Sequence, residues 1–437
     1  MKIRKPKRIV RTQAATPAPA EAPLRDGELA ATPSSALRAL TSGALALGGM
    51  AGNAMADAPI DRYEAEYNFS YYTEDDINNA KAVAGSERGR YEIEWHQLNF
   101  TMPVGERWDV GIELVNESMS GASPWFVVPD AAGDPIQTMT GASIEDNRTD
   151  LNVTANRYQD NGRVGYSFGY STEDDYSSIS LGLDGETHFN EKNTTLSGGL
   201  GLAFDQVDPV QQAGVARISS DDKKAVSLYG GLSQILSRQT VIKSSLTYKF
   251  NNGFLSDPYK QVCVVATGCG GALNLADNRP DSRHQLAWLN EFRHHILELN
   301  GTIHADYQFY FDTWDISSHT ISLAWHQQFF NRFKVIPSLR YYSQSAADFY
   351  TPFFAVAPAA GTEASSDFRL AGYGAIAFGI GGEYAFQTRW TGDREWVAKL
   401  GWQTYFSSED LSHDDSSLEI PGLVDYDLVT LGLSMRW

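Results

Sequence analysis

Between Leu297 and Tyr342 the chain alternates apolar and polar residues with a period of two. Leu297, Leu299, Ile303, Ala305, Tyr307, Phe309 and Phe311 occupy one set of positions. Glu298, Asn300, Thr302, His304, Asp306, Gln308 and Asp312 occupy the other. A strand sends successive side chains to opposite faces, so this pattern predicts a strand with one apolar and one wet face. It repeats at once: Ile321, Leu323, Trp325 and Phe329 alternate with Thr320, Ser322, His326 and Gln328. After the turn at Asn331-Arg332, Val335, Leu339 and Tyr341 alternate with Lys334, Ser338 and Arg340. Such runs exceed the roughly 5–6 residues usual in soluble sheets. They fit strands that cross a bilayer, which need about 9–11 residues.

Composition agrees with this reading without deciding it. The 437 residues are 42% hydrophobic and 12% aromatic, and the mean hydropathy is −0.33. A barrel in which only alternate strand residues face lipid has that balance, but so does a large soluble β-protein. After the leader no apolar run is long enough for a membrane-crossing helix. The alternation decides between the two.

The N-terminus carries Lys2, Arg4, Lys5, Lys7, Arg8 and Arg11, then a polar Ala/Pro stretch. A short apolar segment, residues 36–56, ends in Ala54-Met55-Ala56, an A-x-A site before Asp57. This predicts a secretory leader, residues 1–56, with an extended basic region and a cut between Ala56 and Asp57. A disordered tail with an amphipathic helix is the alternative. Residues 57–437 form the predicted barrel. The leader holds eight Lys/Arg and three Asp/Glu, so the formal charge of −19 becomes −24 without it. That surface excludes nucleic acid as a partner.

Sixteen strands can be laid along residues 57–437: 62–74, 88–102, 107–118, 145–159, 163–172, 178–189, 194–206, 223–236, 240–254, 283–294, 297–312, 316–329, 333–345, 368–387, 395–407 and 426–437. The second breaks its alternation near Gln97, which predicts a bulge. Asn161-Gly162 is a hairpin signal, and Gly392 marks a short turn. Connections after odd-numbered strands are mostly long and those after even-numbered strands short, as in barrels with long external loops and short periplasmic turns. The last strand ends Val429, Leu431, Leu433, Met435, Trp437. That ending resembles the C-terminal signal read by the bacterial barrel-assembly machinery.

Several segments carry a family resemblance: DNGRVGYSFGYSTEDDY (160–176), NEKNTTLSGGL (190–200), NRPDSRHQ (278–285), HADYQFYFDTWDISSHTISLAW (304–325) and PSLRYYSQSAADFY (337–350). Together they resemble a family of Gram-negative bacterial proteins known only as a domain of unknown function and taken to be outer-membrane barrels. The resemblance covers nearly all of the mature chain. It implies the fold and a location in the bacterial outer membrane, and brings no catalytic residues.

Charges on the face predicted to line the lumen are the candidates for solute selectivity. They are Glu64, Glu66, Glu92, Glu94 and Glu113 early, then Asp184, Glu186 and His188. Lys243, Lys249, Arg293, Lys334, Arg340, Arg369 and Lys399 come later. One acidic and one basic wall would set a transverse field across a bore. The plainer reading is ordinary lumen polarity, partly paired. Cys263 and Cys269 fall in one loop of an exported chain, which predicts a local disulfide, with a two-thiol metal site as the weaker alternative because no His lies nearby in sequence. Arg279, Asp281 and Arg283 are expected to tie a loop to a strand. His304 and Asp306 share a face, with His294 and His295 near, but no third metal ligand stands at a defined spacing. Ser318 and His319 point to opposite faces and cannot act as a nucleophile–base pair. On the fourteenth strand, Ala371, Ala375, Ala377, Gly379 and Gly381 are expected inward, leaving room for a folded-in loop, a plug or water, while Phe378, Ile380 and Phe386 face lipid.

The expectation is therefore an all-β, sixteen-stranded transmembrane barrel without enzymatic activity or cofactor. Its most direct role would be passage of small polar or charged solutes, since barrels of sixteen strands leave an aqueous channel. The alternative is a non-conducting surface receptor or scaffold serving an exported redox or metal-handling system.

Overall fold

The computed structural model describes residues 58–86, 88–140, 144–211, 215, 217–270, 273–330, 332–387, 394–414 and 419–437. The expected leader with its cut at Ala56/Asp57 lies outside them, as do Asn331 and Gly392 of two expected turns. Sixteen antiparallel strands close into one barrel. They are β1 (Glu64–Glu74), β2 (Glu92–Val104), β3 (Trp108–Gly121), β4 (Ile144–Gln159), β5 (Gly162–Thr172), β6 (Tyr176–Phe189), β7 (Thr194–Val207) and β8 (Asp221–Ile235). There follow β9 (Thr240–Gly253), β10 (Ser282–Ile296), β11 (Gly301–Asp312), β12 (Ser317–Phe329), β13 (Phe333–Gln344), β14 (Tyr373–Phe386), β15 (Glu395–Ser408) and β16 (Tyr426–Arg436). β1 pairs with β16 from Glu64↔Arg436 to Glu74↔Tyr426, which leaves no free edge. Among the described residues no helix is long and apolar enough to cross a membrane.

The outer face carries what water would not tolerate in bulk. Leu98, Leu114, Leu181, Leu246, Phe378, Ile380 and Leu433 are all exposed. A contiguous apolar band on a closed barrel identifies a transmembrane barrel of the bacterial outer membrane. Aromatics ring the end where the termini meet. Trp437 stacks on Tyr63 with ring centroids 5.7 Å apart and lies beside Phe100 at 6.2 Å, and Phe386 stacks on Trp396 at 6.3 Å. At the other end three outward tyrosines hydrogen-bond with histidine Nδ1 across strands: Tyr67 with His96 (2.8 Å), Tyr248 with His284 (2.7 Å) and Tyr307 with His319 (2.9 Å). Amphipathic rings at both boundaries mark the two interfaces of a membrane.

Three expectations are corrected by the structure. β11 starts at Gly301, because Leu297–Asn300 is a turn with Asn300 at φ 48°. Leu297 and Leu299 continue the alternation but stay exposed in that turn. Gly301 is needed there: a Cβ would lie 2.1 Å from the Trp325 ring that covers it. No bulge occurs at Gln97, since the ladders to β1 and β3 run unbroken through it. β14 starts at Tyr373, and Phe368–Leu370 is instead a single 3-10 turn capped by the Asp367 side chain.

Candidate functional site

In the half of the barrel near the termini, inward positions are charged and half-buried. Glu66 meets Lys399 at 2.8 Å, Glu64 meets Arg436 at 2.9 Å and Lys334 meets Glu383 at 2.6 Å. Glu291 sits between Lys243 (3.1 Å) and Arg293 (3.2 Å), and Arg293 also holds Asp306. Arg163 takes Asp184 at 2.7 Å and Glu186 at 3.7 Å. Glu113 accepts from Gln97 Nε2 at 3.1 Å. Lys249 on β9 and Arg340 on β13 also point inward, by the phase of Ile242 and Leu339 on the outer face. Acid and base thus pair with near neighbours, and the expected separation into one acidic and one basic wall does not occur. Local pairing costs less than two unneutralised walls in a partly desolvated lumen.

Three candidates are misplaced by the sequence reading. Glu92 and Glu94 are exposed on the outer face, opposite Thr73 and Tyr71. With no bulge, the outward phase of Leu98 carries straight up to them, at a level where the strand has left the lipid. Arg369 belongs to the 3-10 turn before β14 and is buried among loops rather than on the wall. His304 does face the lumen, stacked on His326 at 3.9 Å between centroids. His294 turns outward, bonded to Thr240 at 2.9 Å. Ser318 is buried while His319 bonds outward to Tyr307, on opposite faces as expected.

In the other half the alternation inverts. Tyr72, Ile93, Met119, Tyr342, Tyr373, Tyr405 and Tyr426 point inward and are buried. What covers them is loop. Ile420 from segment 409–425 is 1% exposed against Ala375 and Ala377 of β14, with Phe368 beside it. Of the small residues expected inward there, Ala375 and Ala377 share this buried cluster with the loop, while Ala371 lies before β14. A second cluster packs Leu255, Trp314, Ile316, Phe349 and Leu370 together.

The segments lock at one buried charged hub. Arg279 Nε donates to Asp277 at 2.6 Å and its Nη2 to Asp367 at 3.0 Å. Arg369 Nε donates to both Asp367 oxygens, at 2.8 and 2.9 Å, and Nη2 donates to Asp257 at 3.0 Å. Lys260 Nζ donates to the Pro124 carbonyl. Burial alone would raise the Asp367 carboxyl; the Arg369, Lys260 and Arg279 cations hold it well below the ordinary carboxylate range. Burial pushes the Lys260 ammonium down to about 8. Three carboxylates and three cations balance, the condition under which buried charge is tolerable. Arg279 thus ties a loop down as expected, but through Asp277 and Asp367, not Asp281. Arg283 instead pairs with Asp312 and lies over the Trp314 ring at 4.1 Å.

Around the hub, Phe368 lies under Arg90 (5.5 Å) and Lys260 (5.8 Å). Arg90 bonds Glu74 at 2.6 Å and the Gly422 carbonyl at 3.2 Å. Lys81 reaches Glu409 at 3.2 Å. Two small sheets stiffen the layer, one of Gln261–Val264, Leu275–Ala276 and Phe353–Phe354, the other of Pro124–Pro129 with Pro135–Met139. Cys263 and Cys269 are disulfide-bonded, as the shared loop predicted. The described residues of segments 75–91, 122–140, 254–281, 345–372 and 409–425 thereby form one cap. Sequence reading missed it, although the inverted phase at Ile93, Met119 and Tyr342 was its visible sign.

In solved structures the chain is similar to several outer-membrane proteins. A Pseudomonas aeruginosa FadL homologue matches at 11% identity, over 93% of this chain and 98% of that one, with a TM-score of 0.41. A bacterial polysaccharide outer membrane secretin matches at 10%, over 85% and 97%, with a TM-score of 0.42. The siderophore receptor PirA from P. aeruginosa matches at 10% over 80% of this chain, with a TM-score of 0.39, and this chain spans only 56% of it. No curated protein is similar in sequence. A family model matches residues 37–405, so the chain belongs to the family described as protein of unknown function (DUF3570).

Proposed function

We propose that this outer-membrane barrel is closed at rest by its own cap and acts at the cell surface as a receptor or scaffold rather than as an open porin. The observation that carries this is the hub at Asp367. It joins segments 254–281 and 345–372 through side chains that are 0–7% exposed. A flexible, solvated loop does not bury and neutralise six ionised groups. Recognition then falls to the outer surface of the cap, and assembly to the C-terminal strand ending at Trp437. The barrel has no catalytic role in this reading.

A second reading keeps the barrel as a conduit once a partner moves the cap. The half-buried pairs Glu66–Lys399 and Lys334–Glu383 favour it, because they line a polar lumen below the cap. Small polar solutes would be the cargo.

Conductance of the refolded mature protein in a planar bilayer tests the proposal. Folded, heat-modifiable barrels that give no unitary steps agree with a cap closed at rest. Long-lived steps that scale with salt, from the unaltered protein alone, would restore the open-porin reading.

A further inference from the structure

We propose that the external rim holds a divalent-cation site of the calcium class, built from Asp146, Glu173 and Asp175. Asp146 stands near the start of β4, and the other two form the tight connection between β5 and β6. Each offers an oxygen within 4.8 Å of the others. Asp175 is 7% exposed. Its Oδ2 accepts from the Tyr259 hydroxyl, while its Oδ1 is buried without a hydrogen-bond partner. A buried carboxylate oxygen left without a donor is costly, and a bound cation removes that cost.

Charge points the same way. Arg148 is shared by Asp150 (2.9 Å), Glu117 (3.6 Å) and Glu173 (3.8 Å), all with side chains no more than 2% exposed. Asp146 and Asp175 stand beside Glu173 in the same acidic group. Arg217, also near Asp175, stacks on the Tyr259 ring at 4.6 Å. Lys223, over the Tyr176 ring, is engaged by Asp205 at 3.1 Å. Glu173 thus shares one guanidinium with two other carboxylates. A hard all-oxygen set without His or Cys selects calcium or magnesium over zinc or copper. Bound there, the cation would fasten the β5–β6 connection to β4 and, through Tyr259, to segment 254–281.

This inference does not rest on the cap being closed, because it is read out as binding. The refolded full mature chain in detergent is titrated with calcium alone, by calorimetry and by competition with terbium luminescence excited through the neighbouring tyrosines. One saturable site per chain is expected, with a dissociation constant of about 10⁻⁴–10⁻³ M, the range of extracellular calcium modules. Glu173→Gln and Asp146→Asn should each weaken it at least about tenfold, while Glu106→Gln in an exposed turn leaves it unchanged. Both variants spare the Tyr259–Asp175 bond, so folding is retained. No saturable binding by about 10 mM calcium, or binding that both variants keep, overturns the proposal.

Discussion

Replacing Asp367 by Asn removes one charge and almost no volume. In the native cap this carboxylate accepts from Arg369 Nε at 2.8 and 2.9 Å, from Arg279 at 3.0 Å and from the Arg369 amide at 3.2 Å. The variant leaves the three cations of the hub, Lys260, Arg279 and Arg369, with two of its three carboxylates, Asp257 and Asp277. Breaking a buried pair by deleting one partner costs about 3–5 kcal/mol. At about 1.4 kcal/mol per factor of ten, the cap's opening equilibrium should shift by roughly 140- to 3,700-fold. The barrel ladder should be untouched, because Asp367 lies outside every strand. Two assays on the refolded variant follow: limited proteolysis of the loops, and planar-bilayer conductance. Cleavage within segments 254–281 and 345–372 should accelerate while the heat-modifiable band persists, and brief current steps should appear. Loops as resistant as in the unaltered protein, with no steps, would refute the claim that this hub holds the cap.

Four further outcomes are expected. Gly374→Ala places a Cβ 2.3 Å from the Leu411 carbonyl and 2.6 Å from that of Tyr342; since backbone must yield, about 1–3 kcal/mol of local stability should go, seen as faster proteolysis within 409–425. Reducing Cys263–Cys269 should weaken segment 254–281 by about 2 kcal/mol, the loop-closure value for so short a ring, without lowering the barrel's melting temperature. In the Asp367→Asn background, Lys399→Ala should move the reversal potential toward cations, because Glu66 loses its 2.8 Å partner; no change would remove this pair from the conduction path. Acidification tests the sign of linkage. The carboxyl of Asp367 is depressed in the folded state, so its contribution is complete above the ordinary carboxylate range and is lost only as pH falls well below it. Lys260, lowered to about 8, binds its proton less well folded than unfolded, so the cap should tighten as pH rises from about 8 toward the ordinary lysine value. Loop proteolysis measured from pH 3 to pH 9.5 checks both limbs.

Much of the architecture is local and so was legible. Alternation such as that of β11 and β12 names the two faces of a strand from neighbours in sequence alone. Strand number, a barrel in the outer membrane, the Cys263–Cys269 bond and a folded-in loop beside the small residues of β14 all follow from patterns within a few tens of residues. The faces of Glu64, Glu66, Glu113, Lys243 and Arg293 follow from the same period. What failed did so where a second partner overrides the period. Ile93 and Trp95 face inward because segments hundreds of residues away cover them, which makes the strand look broken at Gln97 and turned Glu92 and Glu94 the wrong way. Arg369 reads as a strand residue, yet Asp367 caps a turn there and Asp257, more than a hundred residues upstream, neutralises it. The sequence by itself determined the barrel, since a membrane demands that every backbone group pair within a closed ladder. Only the tertiary structure decided the cap, because buried charges choose partners by distance in space, and no periodicity along the chain records that distance.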